Sequence, residues 1–247
     1  MDNYWNSLEY WELLEAPLRV DNCVVEKFKE LIDETDSVLL LGCTKELYTV
    51  TKDVTVIDIN QQRINMFKPI GKVVCGDWLN IIDELDFNIQ YVIGDGSFNC
   101  LRFQEWPCLI HSVKKVLNPG GKIIVRIFET PANVDSLKNI KEKIENKEIA
   151  TFSELKWILA MYLAYTNNHV VVEYIRDLFY LIFDKEKLSK QTGWSLESIN
   201  TIDAYENSKQ IYCFPSERQI KKEFPESKRI QVLGYPMAER CPFYVFE

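Results

Sequence analysis

The sequence predicts an α/β fold in which a parallel β-sheet is covered by helices on both faces. Three observations predict it. Short apolar runs typical of buried strands alternate with amphipathic helical segments, the first run ends in Gly42, and the 247 residues are 47% hydrophobic. Strands that alternate with helices are joined by right-handed crossovers, which make the strands parallel. A chain of this size buries a sizeable core without a disulfide or a metal.

Five strands and their connecting helices are predicted between residues 24 and 128. Apolar residues at spacings of three and four mark the helices, and short apolar runs mark the strands. In chain order the segments are a helix at 24–33, strands at 37–42 and 54–58, a helix at 60–67, a strand at 72–77, a helix at 78–85, a strand at 89–95, a helix at 103–117, a turn at 118–121 and a strand at 122–128.

The pattern changes after Pro131. Residues 134–184 contain no convincing strand and predict helices. The apolar stripe from Val172 to Ile182 predicts a helix that is apolar nearly all round and packs between layers. Two later runs with strand character, 229–235 and 241–247, predict an antiparallel pair at the edge of the sheet.

Charge and cysteine usage exclude several classes of protein. A net charge of −8 without a compact Lys/Arg run argues against nucleic acid as a partner. The seven cysteines include no C-x-x-C pair, which favours reduced thiols over disulfides or a zinc site. The N-terminus lacks the pattern of a signal peptide, and the most apolar stretch contains Glu173, Arg176 and Asp177. We therefore expect a cytoplasmic protein without membrane, metal or nucleic-acid partners.

Glycines and carboxylates follow four of the predicted strands. They are Gly42 after the first, Asp58 after the second, Asp77 with Trp78 after the third, and the segment from Asp95 to Ser97 after the fourth. Ligands of open parallel sheets bind outside the carboxyl ends of the strands, and an acidic residue at the second strand typically holds ribose hydroxyls. Each aspartate could instead only cap the next helix. Their combination favours a nucleotide-like cofactor.

The loop after the first strand narrows the choice of cofactor. Neither G-x-G-x-x-G nor the Walker pattern is present, and only Gly42 occupies a glycine position there. A pyrophosphate needs a closer backbone cradle than this loop offers, so NAD, FAD and ATP hydrolysis are disfavoured. S-adenosylmethionine, a nucleoside without phosphates, suits a loop with fewer glycines.

The order of these motifs resembles that of class I S-adenosylmethionine-dependent methyltransferases. The signatures are VLLLGCTKEL, VIDIN, GDW, YVIGDGSF and LNPGGKIIVRIF. More narrowly, the chain is similar to a bacterial subgroup whose first motif is LLG-x-T-x-EL. That subgroup shares an R-x-F-x-x-P segment at 126–131, a TIDAY-like segment at 201–205 and a Y-x-x-x-E-R-C-P ending at 235–242.

The resemblance implies a seven-stranded, Rossmann-like sheet in a single domain over residues 1–247. Within it we expect an N-terminal helical lid at 1–34, a cofactor-binding core at 35–130, a helical insertion at 131–192, and a substrate-side segment with the final strand pair at 193–247.

The resemblance also implies roles for the residues after the strands. Asp58 would hold the ribose, Asp77 and Trp78 the adenine, and the segment Asp95–Gly96–Ser97 would border the methionine half and the substrate. The first motif departs from the usual pattern, since Leu40 replaces an acidic residue and Thr44 and Glu46 replace glycines. Thr44 and the Gly42 backbone are the candidates for the methionine end, with Asp95 or an N-terminal side chain for its ammonium. The complete cofactor set comprises Gly42, Cys43, Thr44, Asp58, Ile59, Asp77, Trp78, Asp95, Gly96 and Ser97.

Substrate-side and catalytic candidates come from segments outside the core motifs. Tyr4, Trp5 and Trp11 fall near one helical face, where they form either an aromatic lid or a core-packing stripe. Arg126 could pair with a ligand carboxylate, or with Asp95 or Glu129. Tyr205 and Tyr212 could donate to a substrate oxygen or be buried tyrosines. The catalytic candidates are Asp95, Arg126 and Tyr205, and the substrate-side candidates are Tyr4, Trp5, Trp11, Arg19 and Tyr212.

The predicted activity is transfer of a methyl group from S-adenosylmethionine, with S-adenosylhomocysteine as product. The acceptor is an oxygen or nitrogen, a carboxylate included, of a small molecule or peptide, and the protein is a monomer or homodimer. An aminopropyltransferase-like enzyme and a non-catalytic cofactor-binding module stay open as alternatives. The missing glycines disfavour an oxidoreductase.

Overall fold

A computed structural model describes residues 8–82 and 88–247. Within them lies a seven-stranded sheet with the strand order β3-β2-β1-β4-β5-β9-β8. Its strands are β1 (Ser37–Leu41), β2 (Asp53–Asp58), β3 (Lys72–Cys75), β4 (Ile89–Asp95), β5 (Leu117–Arg126), β8 (Lys228–Ile230) and β9 (Phe243–Phe246). β1 to β5 are parallel, and β9 runs antiparallel to both β5 and β8. The predicted parallel sheet with an antiparallel pair at one edge is confirmed.

The two faces of the sheet are buried in separate clusters because strand side chains alternate. Val38 and Leu40 of β1 join one cluster with Phe28 of helix α2 (Asn22–Leu31). Leu39 and Leu41 join the other with Trp106 of helix α5 (Trp106–Val116). Near-continuous burial on both faces explains why the strands are apolar runs rather than alternating patterns.

Four further described helices belong to the core, and the last of them is not predicted by the sequence. They are α1 (Leu8–Glu12), α3 (Gln61–Phe67), α4 (Trp78–Ile81) and α11 (Glu217–Glu223). The helix predicted at 78–85 is described only in part, because residues 83–85 lie outside the described residues. No described helix is long and apolar enough to cross a membrane.

The turn predicted at 118–121 and the bounds of the strand predicted at 122–128 are both wrong in detail. Residues 118–121 form no separate turn, because β5 begins at Leu117 and ends at Arg126. The register against β4 shifts between Ile89 and Tyr91, and Gly120 adopts a φ of 80° within this irregular stretch. Residues typical of a turn are therefore part of the strand, at an irregularity that resembles a β-bulge.

The insertion is helical but contains one unpredicted strand. Its helices are α6 (Leu137–Glu145), α7 (Phe152–Ala164), α8 (Val172–Ile182) and α9 (Lys185–Thr192), and α10 (Leu196–Asn200) follows in the substrate-side segment. Between α7 and α8 lies β6 (His169–Val171), which pairs antiparallel with β7 (Ile211–Cys213). A three-residue strand whose partner lies some 40 positions away leaves no local signal in the sequence.

The prediction that the helix from Val172 is apolar nearly all round and packs between layers is wrong. In α8, Tyr174, Tyr180 and Leu181 are exposed. The helix that is buried nearly all round is α7, where even Lys156 is inaccessible to solvent. Tyrosines on a solvent face explain the error, because they count as apolar in a pattern but tolerate water at their hydroxyl ends.

Candidate functional site

A cavity of about 400 Å³ lies at the carboxyl ends of the central strands. Most of the predicted site residues line it. They are Gly42, Thr44, Asp58, Ile59, Asp77, Trp78, Asp95, Gly96, Ser97, Trp11 and Tyr212. Cys43, Arg19, Arg126 and Tyr205 do not line it, while Tyr4 and Trp5 lie outside the described residues. The three aspartates predicted to share one pocket therefore do share it.

Asp58 ends β2 and is held by the backbone on both sides. Its Oδ2 accepts from the Cys43 N–H at 2.9 Å, and its Oδ1 accepts from the Asn60 N–H at 2.9 Å. Arg63 approaches Oδ2 at 3.6 Å. An ionised carboxylate has about four acceptor positions, so it can also accept from a ligand. Cys43 acts through its backbone, and burial raises the pKa of its thiol to about 12.

Asp77 and Trp78 begin α4 at the next strand end. Asp77 caps the helix, with Oδ1 accepting from the Leu79 N–H at 3.0 Å. Trp78 is fixed by its indole N–H, which donates to the Ile57 carbonyl at 3.1 Å. Asp77 both caps α4 and lines the cavity. The two roles that the sequence offered for it, helix cap and ligand-binding residue, are therefore compatible.

The first loop faces the Trp78 ring. Gly42 has a φ of 99°, and a Cβ added there would stand 3.6 Å from the Trp78 ring. A side chain at this position would be strained and would occupy space between the loop and the indole. The left-handed backbone at this position therefore favours glycine.

Asp95 ends β4 and forms an ion pair with Arg126 of the neighbouring strand β5. The Arg126 Nε donates to Asp95 Oδ1, and its second terminal nitrogen donates to Oδ2 at 3.0 Å. Burial alone would lower the pKa of this guanidinium, but the Asp95 charge reverses the effect and raises it. Arg126 also donates to the Pro17 carbonyl at 2.9 Å. Of the alternatives that the sequence left open for Arg126, pairing with Asp95 is the one observed.

The loop after β4 is held close to the end of β5. Gly96 has a φ of 64°, and its N–H donates to the Arg126 carbonyl at 2.9 Å. Asn99, which is buried, donates to the Phe128 and Cys213 carbonyls and accepts from the Phe128 N–H. These bonds fix Ser97, whose Oγ is buried without a hydrogen-bond partner among the described residues.

Two predicted site residues lie away from the cavity. Tyr205 is fully buried beneath the insertion, where its ring centre lies 5.5 Å from Lys156 Nζ. Arg19 donates to Glu46 at 2.9 Å and to Glu12 at 3.0 Å. The turn that carries Tyr205 packs against α8, so direct contact of Tyr205 with a ligand in this cavity is contradicted by its position.

The N-terminal segment does cover part of the site. Trp11 lines the cavity, and its ring also packs edge-on against Phe67 at 5.1 Å. Its indole N–H donates to Glu46 at 3.3 Å, in the loop after β1. Trp11 is therefore both a core residue and part of the cavity wall.

Sequence reasoning missed several lining residues. They are Leu18, Leu41, Asn60, Arg63, Cys100, Leu101, Phe128, Trp157 and Gln210. Trp157 is the most consequential, because it stands on buried α7 and packs edge-on against Phe128 at 5.1 Å and Tyr212 at 4.9 Å. Its helical pattern gives no sign of this role. Asn60 and Phe128 follow strands directly and could have been found by the same rule as Asp58.

Within residues 8–82 and 88–247, no group of three or more His, Cys, Asp and Glu side chains is placed to hold a metal ion. The described residues that line the cavity carry carboxylates, hydroxyls, amides, a thiol, a guanidinium and aromatic rings.

The fold has counterparts among solved structures. A protein from Rhodobacter sphaeroides, described provisionally as a Zn-dependent alcohol dehydrogenase, matches with a TM-score of 0.60 at 14% identity, over 99% of this chain and 98% of that one. The DhpI–SAH complex matches with a TM-score of 0.50 at 11% identity, over 90% of this chain and 81% of that one. No family model and no curated protein matches the sequence.

Identities this low show the fold alone. A further match to the glycopeptide N-methyltransferase MtfA complexed with sinefungin spans 49% of this chain, with a TM-score of 0.41 and 20% identity. A likeness of that extent carries no argument about this chain. Together with the strand order, the two longer matches show a Rossmann-like α/β fold, the seven-stranded arrangement of class I methyltransferases.

Proposed function

We propose that this chain is a methyltransferase that binds S-adenosylmethionine in the cavity at the strand ends. The observation that carries the proposal is the convergence of Gly42, Asp58, Asp77 and Trp78 on one cavity. These residues follow three neighbouring strands in the positions that hold an adenosine in nucleotide-binding sheets. The DhpI–SAH complex, which shares this fold, lends support by analogy only.

The residues present fit an adenosine. Asp58 retains acceptor capacity for ribose hydroxyls beyond its two backbone bonds. Within residues 8–82 and 88–247, the second oxygen of Asp77 accepts only from Asn80, at 3.5 Å, so it can also accept from an adenine amino group. The Trp78 ring, which also lines the cavity, can pack against a planar base.

The chain's part in the reaction is to align the reactants and exclude water. Bound S-adenosylmethionine supplies an activated methyl group on a sulfonium. Asp58 and Asp77 would hold the adenosine end of the cofactor. Trp11 and Leu18 of the N-terminal segment would shield the loop after β1 from water. Such alignment is the main contribution available to a site of this kind.

The alternative of an aminopropyltransferase finds less support in the geometry. Binding a polyamine requires carboxylates free to pair with ammonium groups. Asp95, the carboxylate at the end of β4, is already held bidentately by Arg126. We therefore favour methyl transfer to an oxygen or nitrogen of a small molecule or peptide.

The proposal also covers the protein's partners, oligomeric state and localisation. The net charge of −8 supports a partner other than nucleic acid. We propose a cytoplasmic monomer or homodimer that works without a membrane or a metal ion.

Calorimetry with S-adenosylhomocysteine tests the proposal. Wild-type protein should bind it, while Asp58→Ala should lose about 1–3 kcal/mol of affinity, because the ribose hydroxyls are left unpaired and a charged hydrogen bond is lost. Asp53→Ala is the matched control, since Asp53 is exposed at the opposite end of the same strand. Equal binding by both variants, or no binding by the wild type, would refute the proposal. NAD should not bind.

A further inference from the structure

Residues 8–20, which we name the cover segment, contribute part of the cavity wall. Trp11 and Leu18 of this segment line the cavity and are themselves only 6% and 8% exposed. The other described lining residues come from residues 41–128 and 157–212. A ligand that fills the cavity therefore contacts the cover segment as well as the strand ends.

The middle of the cover segment is attached to the rest of the protein through its backbone. The Arg126 guanidinium donates to the Pro17 carbonyl at 2.9 Å, and this bond is buried. Thr151 Oγ1, at the start of α7, donates to the Ala16 carbonyl at 3.2 Å. These bonds fix residues 16 and 17 against the end of β5 and the start of α7.

Glu46, in the loop after β1, joins the two ends of the cover segment. Its Oε1 accepts from the Trp11 indole N–H at 3.3 Å and from Arg19 Nε at 2.9 Å. Trp11 precedes the fixed residues 16 and 17 in the chain, and Arg19 follows them. Glu46 is not among the described residues that line the cavity, so it would act on a ligand through Trp11 rather than by contact.

Two further charges take part in this attachment. Glu12 accepts from Arg19 at 3.0 Å and also from Lys45, the neighbour of Glu46 in the loop. The side chains remain partly accessible to water, Arg19 at 26% and Glu46 at 16% exposure. Ion pairs that reach solvent contribute little to stability and are weakened by salt. The ionic attachment at the ends of the cover segment is therefore easier to break than the buried bond to Pro17.

Glu46 also accounts for a departure from the motif of the resembled family. It stands where that family carries the third glycine of the first motif. A glycine has no side chain and could hold neither Trp11 nor Arg19. The residue that breaks the motif is thus the one that attaches the cover segment to the loop after β1.

We infer that Glu46 is a positioning residue that holds Trp11 and the cover segment at the cavity and so limits the rate at which S-adenosylhomocysteine leaves. The inference rests on the proposed function and concerns how its product is retained and released. Opening breaks the bonds that Glu46 makes to Trp11 and Arg19. The bond to the Pro17 carbonyl persists, so the ends of the segment move while its middle stays in place. Opening of such a segment sets the rate of product release in many enzymes.

Stopped-flow tryptophan fluorescence of the full-length protein tests this inference. Trp11 and Trp78 line the cavity, so their emission should report the binding of S-adenosylhomocysteine. The observed rate is measured at several ligand concentrations. Its slope gives the association rate constant and its intercept the dissociation rate constant, while calorimetry supplies the dissociation constant independently.

Glu46→Gln is the first variant, because it keeps an acceptor oxygen for Trp11 but loses the ion pair with Arg19. Dissociation should be about threefold to tenfold faster, and association should change by less than about twofold. Glu34→Gln is the matched control, since Glu34 pairs with Lys52 at 3.1 Å on the surface and is not among the described lining residues. Both of its rate constants should stay within about twofold of the wild type.

Salt distinguishes an ionic attachment from a general loss of stability. Raising the NaCl concentration from about 0.05 M to about 0.5 M should speed dissociation from the wild type, because salt screens the pair of Arg19 and Glu46. Dissociation from Glu46→Gln should already be fast and should respond much less to salt. A purely structural role of Glu46 would leave the two salt responses equal.

Arg19→Met is a second variant, which removes the other partner of the same ion pair. It should also speed dissociation, and the double variant with Glu46→Gln should be little faster than either single variant, because both remove one interaction. Far-UV circular dichroism checks that each variant is folded. The salt response of the wild type needs no variant and tests the ionic attachment by itself.

The outcomes separate this inference from the proposed function. If the wild type binds S-adenosylhomocysteine but Glu46→Gln and Arg19→Met release it at the wild-type rate, the inference is wrong and the proposed function stands. The same conclusion follows if the two single effects multiply in the double variant, or if salt leaves the wild-type dissociation rate unchanged. A wild type that does not bind S-adenosylhomocysteine contradicts both.

Discussion

Arg126 and Asp95 are register partners on adjacent parallel strands, and their side chains form a buried bidentate ion pair. Arg126 is fully buried, with its guanidinium 4.9 Å from the Phe128 ring centre and 5.4 Å from that of Tyr235. The same guanidinium holds the Pro17 carbonyl of the N-terminal segment. One ion pair thus joins β4, β5 and the segment that covers the cavity, and it occupies the carboxylate that would otherwise meet a ligand.

Removing one partner of this pair should destabilise the protein strongly. Arg126→Met leaves Asp95 buried without its counter-charge, and we expect a loss of about 3–5 kcal/mol in the free energy of unfolding. The measurement is urea denaturation followed by circular dichroism. The double variant with Asp95→Asn should lose less than the sum of the two single losses, and strict additivity would contradict direct coupling.

Gly96 should tolerate alanine far less well than Gly120 does. Both glycines have a positive φ, 64° and 80° respectively, so both substitutions strain the backbone by about 1 kcal/mol. A Cβ at Gly96 would also stand 2.6 Å from the Phe128 ring, whereas one at Gly120 meets nothing within 4 Å. We expect Gly96→Ala to cost about 1–3 kcal/mol more than Gly120→Ala in thermal or urea unfolding. Equal losses would show that Phe128 yields freely.

Asn99 should be essential to the stability of the loop after β4. It is 1% exposed and bonds to the Phe128 N–H, the Phe128 carbonyl and the Cys213 carbonyl. Asn99→Ala leaves these groups unpaired and should cost about 3–5 kcal/mol in the free energy of unfolding. Asn139→Ala, on the exposed face of α6, is the control and should change stability by less than about 0.5 kcal/mol. A similar small loss for Asn99→Ala would contradict the assigned bonds.

Lys156 should give the stability of the protein a distinct dependence on pH. It is fully buried, its Nζ donates to Thr201 at 2.8 Å, and burial lowers its pKa from 10.5 to about 7. Between these two values the unfolded chain binds a proton that the folded chain does not, so stability rises with pH. The increase is at most on the order of 4–5 kcal/mol.

Comparison with Lys156→Met isolates this contribution from that of other groups. The difference in free energy of unfolding, wild type minus variant, should grow from pH 7 to pH 10 in urea titrations. Below pH 7 the lysine is protonated in both states, so the difference should level off. A difference that is constant over the whole range would show that Lys156 keeps an ordinary pKa.

The sheet and its strand-end carboxylates were predictable because their signals are local. Burial on both faces makes β1 and β4 apolar runs, and the residue after each strand needs no further information to be placed at the sheet's edge. Asp58 and Asp77 were found in this way. For Tyr205 the sequence left open a ligand contact or a buried tyrosine, and the structure shows the buried tyrosine, because a motif does not reveal which layer its turn packs against.

The sequence alone determined the order of strands and helices and the edge of the sheet at which carboxylates gather, since periodicity and turn residues act over a few positions. Only the tertiary structure decided which carboxylate stays available to a ligand, because Arg126 of β5 forms an ion pair with Asp95 of the neighbouring strand β4. It also decided that Trp157 reaches the cavity, through the packing of α7 on Phe128 and Tyr212. Such contacts join residues far apart in sequence, and no local preference encodes them.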